Sequence, residues 1–93
     1  MDAQEAYRIG LVDEIVPKEK LIGKAEAILW TISTNAPLAV RFALEAVNMG
    51  LDMPQARGLE LEASLFGRAA ATEDAKEGTA AFLEKRKPRF TGQ

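Results

Sequence analysis

The sequence of 93 residues contains neither cysteine nor histidine. Without cysteine there is no disulfide framework and no thiolate chemistry, and without histidine the commonest general base and metal ligand is missing. Serine has no histidine to activate it, which excludes a catalytic triad of the serine–histidine type. No cluster of carboxylates is present either. The residues therefore predict no metal site and no catalytic centre of the chain's own.

Long apolar runs and an excess of one charge are also lacking. No stretch approaches the roughly 18 apolar residues of a membrane span, and the start "MDAQEAYRIG" is not a signal peptide. Twelve basic residues against 14 acidic ones give a net charge of −2, which provides no general attraction to nucleic acid or to an anionic membrane. We therefore expect a cytoplasmic protein that binds neither, in which any anion binding is local.

What is present predicts one small all-α domain over residues 1–93. The apolar share of 47% and the charged share of 28% are ordinary for a globular protein. We expect a small bundle of four to five helices with one short strand near the N-terminus. Residues 1–17 would be a helix–strand connector to a missing N-terminal domain, and residues 18–93 the helical region.

Caps and breakers define the predicted elements. Asp2 and Glu5 resemble a capping box that opens a helix ended at Gly10, and the stretch "LVDEIV" from Leu11 to Val16 is typical of a strand. No second strand is available in the chain, so that strand needs a partner outside it. The remaining predicted helices cover Lys18 to Thr34, Pro37 to Gly50, Met53 to about Ala70 behind an Asp52–Gln55 capping box, and a last helix capped by Thr72.

One of these helices carries two apolar faces, which is more than one small core needs, and another carries a tryptophan outside its apolar face. The helix from Met53 has one apolar face with Leu59 and Phe66 and a separate one with Leu61 and Leu65. Trp30 lies opposite the apolar face of its helix and either packs on a neighbouring loop or contacts another subunit. We therefore take Trp30, Leu61, Leu65 and Phe66 as candidate residues of an oligomer interface.

A basic cluster closes the chain in the stretch "AFLEKRKPRF". Lys85, Arg86 and Lys87 are predicted to occupy the last turn of the final helix, which Pro88 stops. One interpretation is that these cations only complement the helix dipole and keep the terminus soluble. The other is an anion site, because Phe82 and Lys85 are three residues apart and would be neighbours on a helical surface. An aromatic ring beside an ammonium group suits a ligand with an apolar part and a phosphate part.

Three stretches resemble the C-terminal region of the crotonase superfamily and specifically its enoyl-CoA hydratases. They are "AQEAYRIGLVDEIVP", "NAPLAVRFALEAVN" and the closing "ATEDAKEGTAAFLEKRKPRF". The resemblance spans nearly the whole chain and implies the C-terminal oligomerisation domain of the crotonase fold. It implies no catalytic residue here, because the two glutamates and the oxyanion hole of the family lie in the larger N-terminal domain.

The same resemblance implies a role for the basic cluster. Phe82 would line the acyl or pantetheine part of a CoA thioester, and Lys85 would approach the CoA phosphates, with weaker contributions from Arg86 and Lys87. The parent reaction would be the hydration of 2-enoyl-CoA in fatty acid metabolism, a lyase activity in which the CoA thioester is substrate and no further cofactor is needed. The resemblance also implies a homo-oligomer, a trimer or a hexamer.

Two other interpretations stay open at this point. The chain could be a stand-alone helical oligomerisation module that does not bind CoA. It could also be the corresponding domain of a related crotonase-fold isomerase or dehydratase, because the residues that separate these reactions are not in this sequence.

Overall fold

A computed structural model describes all 93 residues of the chain. It contains five α-helices and no strand, so the all-α class is confirmed. The chain divides into two compact units, Met1–Thr31 and Ile32–Gln93. The helices are α1 (Ala3–Arg8), α2 (Leu21–Ser33), α3 (Pro37–Gly50), α4 (Gln55–Ala70) and α5 (Glu73–Leu83), and a 3₁₀ turn at Lys18–Lys20 leads into α2.

The first unit opens with α1, whose start is fixed by Asp2 as predicted. The Asp2 carboxylate accepts a hydrogen bond from the Glu5 N–H at 2.8 Å. Gly10 follows the helix with a φ of +75°, a left-handed conformation that glycine adopts without strain. Glu5 does not close the reciprocal half of a capping box, because its carboxylate instead pairs with Arg8 at 2.6 Å.

The strand predicted from Leu11 to Val16 is absent, and that prediction was wrong. The segment is irregular, and the Leu11 N–H donates back to the Ala6 carbonyl at the end of α1. A strand needs a second strand to pair its backbone groups, and this chain offers none.

The helix α2 buries none of its residues within the chain. Its predicted apolar face is open, since Ile28 and Leu29 are 47% and 64% exposed. Trp30, on the opposite side, is 74% exposed.

No single helix of the chain is long and apolar enough to cross a membrane. The bent pair formed by residues 18–33 and 37–50 is long and apolar enough only when its two helices are taken together.

The second unit is organised by the pair α3 and α4. Pro37 stands at the start of α3, as predicted. The predicted Asp52–Gln55 capping box was wrong, because α4 begins at Gln55 directly after Pro54 and no side chain caps it. A residue before proline is disfavoured in a helix, so α4 cannot start at Met53. Asp52 belongs instead to the turn after α3, where its N–H donates to the Met49 carbonyl.

The core of this unit is small. Phe42 of α3, Leu65 of α4 and Ala81 of α5 are its buried apolar residues. Where α3 ends and α4 begins, a Cβ added to Gly58 would stand 3.7 Å from the Gly50 Cα, so the two glycines allow the backbones to approach closely. With so few buried side chains, most of the apolar surface of α3 and α4 remains open.

The helix α5 is capped as predicted but ends earlier than predicted. The Thr72 hydroxyl accepts a hydrogen bond from the Ala75 N–H at 3.1 Å. The helix ends at Leu83, so Lys85, Arg86 and Lys87 lie beyond its last turn and their predicted placement was wrong. The physical reason is that the chain reverses at Lys85 and then makes its hydrogen bonds with the side of α5.

Candidate functional site

The end of α5 is a Schellman motif with a lysine at the left-handed position. The Arg86 N–H donates to the Ala81 carbonyl at 3.0 Å, and the Lys85 N–H donates to the Phe82 carbonyl at 3.3 Å. Lys85 has a φ of +54° and is the single non-glycine residue of the chain with a positive φ. Glycine is the usual occupant of this position, so a lysine here carries backbone strain.

The segment after Lys85 returns along α5 and is fastened to its first turn by Asp74. The Asp74 carboxylate is buried and accepts hydrogen bonds from the N–H groups of Thr91, at 2.7 Å, and Gly92, at 2.8 Å. The Asp74 N–H in turn donates to the Gln93 carbonyl at 2.9 Å. A buried carboxylate with two backbone donors is a charge-assisted arrangement, which fixes the end of the segment.

A second carboxylate of α5 fastens the beginning of the same segment. Glu77 and the Arg86 guanidinium form a two-pronged ion pair, with Nη1 to Oε1 at 2.6 Å and Nη2 to Oε2 at 3.0 Å. The Glu77 carboxylate also accepts a hydrogen bond from the Arg89 N–H at 2.8 Å. The Arg86 side chain, followed by the Arg89 N–H, lowers the pKa of Glu77 to about 2. Arg86 also binds Glu84, and the two carboxylates raise the pKa of Arg86.

Among Lys85, Arg86 and Lys87, only Arg86 forms an ion pair. Arg86 is engaged by two carboxylates, whereas Lys85 and Lys87 form no ion pair and are exposed. Phe82, next to this turn, is 82% exposed. The predicted neighbourhood of Phe82 and Lys85 on one helical surface does not exist, because Lys85 has left the helix, but their backbones are joined by the hydrogen bond described above. The arrangement offers an apolar ring and two unpaired ammonium groups at one helix end.

A cleft lined mostly by charged residues lies between α5 and the returning segment. Its volume is about 1020 Å³, and Glu77, Arg86, Lys87 and Arg89 are among the residues that line it. No group of three or more histidine, cysteine or acidic side chains that could hold a metal ion occurs in the chain.

A second, apolar groove of about 770 Å³ runs along α3 and α4. Leu65 and Phe66 both line it, but they differ in exposure: Leu65 is buried at 3% and Phe66 is open at 74%. Leu61 is half-buried. Of the candidate interface residues, Trp30 and Phe66 are therefore exposed, whereas Leu65 belongs to the core of its own chain.

Asp74 and Glu77 anchor the returning segment, and the sequence did not predict this role for either residue. Their three-residue spacing, which puts both on one side of α5, was a usable signal. The partners of the two acids lie 9 to 18 residues further along the chain, so no local pattern could have identified those partners.

The sequence matches one protein family over its full length. The chain belongs to the enoyl-CoA hydratase/isomerase family, whose sequence profile matches residues 1–93. The resemblance to the crotonase superfamily is thus confirmed.

Individual relatives agree with this assignment. The chain is 50% identical over 91 residues to a Mycobacterium bovis protein named "Probable enoyl-CoA hydratase echA8", covering 98% of this chain and 35% of that protein. It is 43% identical over 90 residues to the crotonyl-CoA hydratase of Syntrophomonas wolfei, covering 97% of this chain and 35% of that protein. The chain therefore spans about a third of the length of the relatives it matches.

A solved structure shows the same fold. The crystal structure of an enoyl-CoA hydratase/isomerase from Mycobacterium paratuberculosis matches with a TM-score of 0.94 and 41% identity. That match covers all of this chain and 37% of the other, so every helix described above has a counterpart in a crotonase-fold protein.

Proposed function

We propose that this chain is the C-terminal part of an enoyl-CoA hydratase and supplies an assembly surface and one side of the CoA site. The observation that carries the proposal is the ordered turn after α5, where Phe82, Lys85 and Lys87 are exposed and neither lysine forms an ion pair. A lysine ammonium is a compact point charge that binds phosphate, and an aromatic ring covers apolar groups. Family membership supports an acyl-CoA as a ligand with both properties.

In the complete enzyme the reaction is the addition of water to the 2,3 double bond of an enoyl-CoA, giving a 3-hydroxyacyl-CoA. The groups that activate water, deliver the proton and stabilise the thioester oxyanion belong to the remaining two thirds of the protein. This chain contributes binding: Lys85 and Lys87 hold a phosphate of CoA, and Phe82 covers its apolar arm. The role of Arg86 is structural, because its charge is already neutralised by two carboxylates.

The assembly role is supported by the apolar surface that the chain leaves open. The helix α2 buries no residue, and the exposed side chains of Trp30 and Phe66 are large. Exposed apolar patches of this kind are covered in stable proteins by another domain or another subunit. In this family we place that cover in the missing part of the protein and in sister subunits of a trimer or hexamer.

A titration of coenzyme A into the ¹⁵N-labelled chain tests the CoA role. We expect saturable amide shifts around Phe82 and Lys85. Lys85→Gln is expected to weaken the affinity by about tenfold, because one charge-assisted contact is lost. The matched control is Lys76→Gln, since Lys76 lies on α5 but is paired with Glu73 at 2.7 Å. Equal effects of the two variants would refute a specific role for Lys85.

A hydration assay completes the test. We expect the pure chain to leave crotonyl-CoA unchanged, because it lacks the catalytic glutamates of the family. Detectable hydration contradicts the assignment of catalysis to the rest of the protein. A chain that forms a discrete oligomer but never binds coenzyme A would favour the stand-alone oligomerisation module instead.

A further inference from the structure

We propose that Asp74 and Glu77 are positioning residues that hold the turn at Lys85 in its binding conformation. We call the two carboxylates the clasp. The inference rests on the proposed function, since it concerns how the same lysines are presented to an anionic ligand. Neither carboxylate is close enough in sequence to Lys85 to act on it locally; both act through the returning segment.

The backbone of Lys85 is strained. A lysine with a φ of +54° is held in a conformation that favours glycine. Such a conformation persists only where the surrounding contacts impose it. The Schellman hydrogen bonds of Arg86 and Lys85 account for part of this constraint.

The clasp makes its contacts with residues that follow Lys85 in the chain. Glu77 binds the Arg86 side chain in a two-pronged ion pair and also accepts from the Arg89 N–H. Asp74 binds the N–H groups of Thr91 and Gly92. The segment is therefore fixed at its beginning and at its end, and Lys87 lies between the two fixed points.

The charge of Glu77 is also relevant. An isolated negative charge near an anion site weakens anion binding. An acid at the proposed phosphate-binding turn is therefore unfavourable unless it is needed for the shape of the turn. Glu77 is directed at Arg86 and at a backbone N–H, which leaves Lys85 and Lys87 without acidic partners.

The direction in which Glu77→Gln changes the affinity for coenzyme A distinguishes positioning from simple electrostatics. Glu77→Gln removes one negative charge, so electrostatics alone predicts tighter binding of coenzyme A. Positioning predicts the opposite, a loss of about five- to tenfold, because a charged hydrogen-bonded anchor is removed. The matched control is Glu73→Gln, which removes the same charge from the same helix but touches only Lys76. The control is expected to leave the affinity unchanged or slightly higher.

A second readout follows the returning segment itself without any ligand. In the Glu77→Gln chain, amide hydrogen exchange at Arg89 and trypsin cleavage after Arg89 are expected to accelerate about tenfold, whereas Glu73→Gln changes neither. In Asp74→Asn the same is expected for the amides of Thr91 and Gly92. Unchanged exchange in both clasp variants would overturn the inference, as would tighter coenzyme A binding by Glu77→Gln.

A third variant distinguishes failure of this inference from failure of the proposed function. Lys85→Gly relieves the strained backbone, so we expect an equal or higher melting temperature together with weaker coenzyme A binding. If Lys85→Gly weakens binding and Glu77→Gln does not, the CoA role stands and the clasp is refuted. If the unaltered chain binds no coenzyme A, the proposed function fails together with the ligand part of this inference.

Discussion

The carboxylate of Asp74 is the one charged group that the chain buries, at 2% exposure. It lies in the first turn of α5, where the helix dipole favours a negative charge. Its larger contribution is to the tertiary structure, because it receives two backbone N–H groups from the end of the chain. A single side chain thus joins the start of the last helix to the segment that follows the same helix.

The first prediction concerns this residue. Asp74→Ala leaves the N–H groups of Thr91 and Gly92 without their acceptor and should lower the free energy of unfolding by about 2 kcal/mol. The measurement is urea unfolding followed by circular dichroism. Glu73→Ala is the control, since Glu73 is exposed and also lies in the first turn. An equal loss in both variants would show that only the helix dipole matters.

The second prediction concerns pH and Glu77. The folded pKa of about 2 lies below the usual 4.5, so the ionised carboxylate stabilises the folded state. That contribution is complete above pH 4.5 and is lost as the pH falls from 4.5 to about 2. The unfolding free energy of the unaltered chain should therefore decline more steeply over this range than that of Glu77→Gln. Parallel pH profiles of the two proteins would contradict the prediction.

Among the helices, α4 carries two apolar faces, of which one contributes to the core and the other is exposed. Leu65 is 3% exposed and Phe66, the next residue, is 74% exposed. Successive residues of a helix point about 100° apart, so one can enter the core while the other remains outside. The amount of apolar surface on a helix therefore does not say how much of it the chain itself buries.

The third prediction uses this adjacent pair. Leu65→Ala should reduce the free energy of unfolding by about 2 to 4 kcal/mol, because it leaves a cavity in a small core. Phe66→Ala should change it by less than about 0.5 kcal/mol in the dissociated chain, since the ring has no cover there. Urea unfolding at low protein concentration measures both. A large loss for Phe66→Ala would show that its ring packs within the chain.

At the scale of the whole molecule, the open apolar surface is the main physical fact. It includes α2, which has no buried residue, and the Phe66 side of α4. The chain spans about a third of the length of the relatives it matches. Under the proposed function, these faces are covered by the rest of the enzyme or by sister subunits. Burial of these faces by association is the physical alternative to their exposure to water.

The fourth prediction follows from that surface. Light scattering over a range of concentrations should show self-association of the pure chain, and Phe66→Ala and Trp30→Ala should weaken it. Thr79→Ala is a control at an exposed position of α5 that lies on neither face. A monomer at all concentrations would mean that these faces need the rest of the protein to associate, and the assembly role of the isolated chain would be refuted.

Local patterns were enough to predict the N-caps Asp2 and Thr72 and the first residue of α3, Pro37, because caps and proline act through bonds within three or four residues. The family was also evident from the sequence, since the quoted stretches are continuous in the chain. Two predictions from local patterns were wrong. The strand at Leu11 to Val16 does not form, because the chain has no second strand to pair with it. The helix α4 starts at Gln55 and not at Met53, because Pro54 disfavours a helical conformation of the residue before it.

The form of the candidate site depends on tertiary contacts. The reversal at Lys85, the pairing of Arg86 with Glu77 and the freedom of Lys85 and Lys87 all depend on contacts between α5 and the segment that returns along it. The burial of Leu65 beside an exposed Phe66 likewise depends on how α3 meets α4. Such contacts join residues distant in the chain, and their geometry is set by packing and charge rather than by any local pattern.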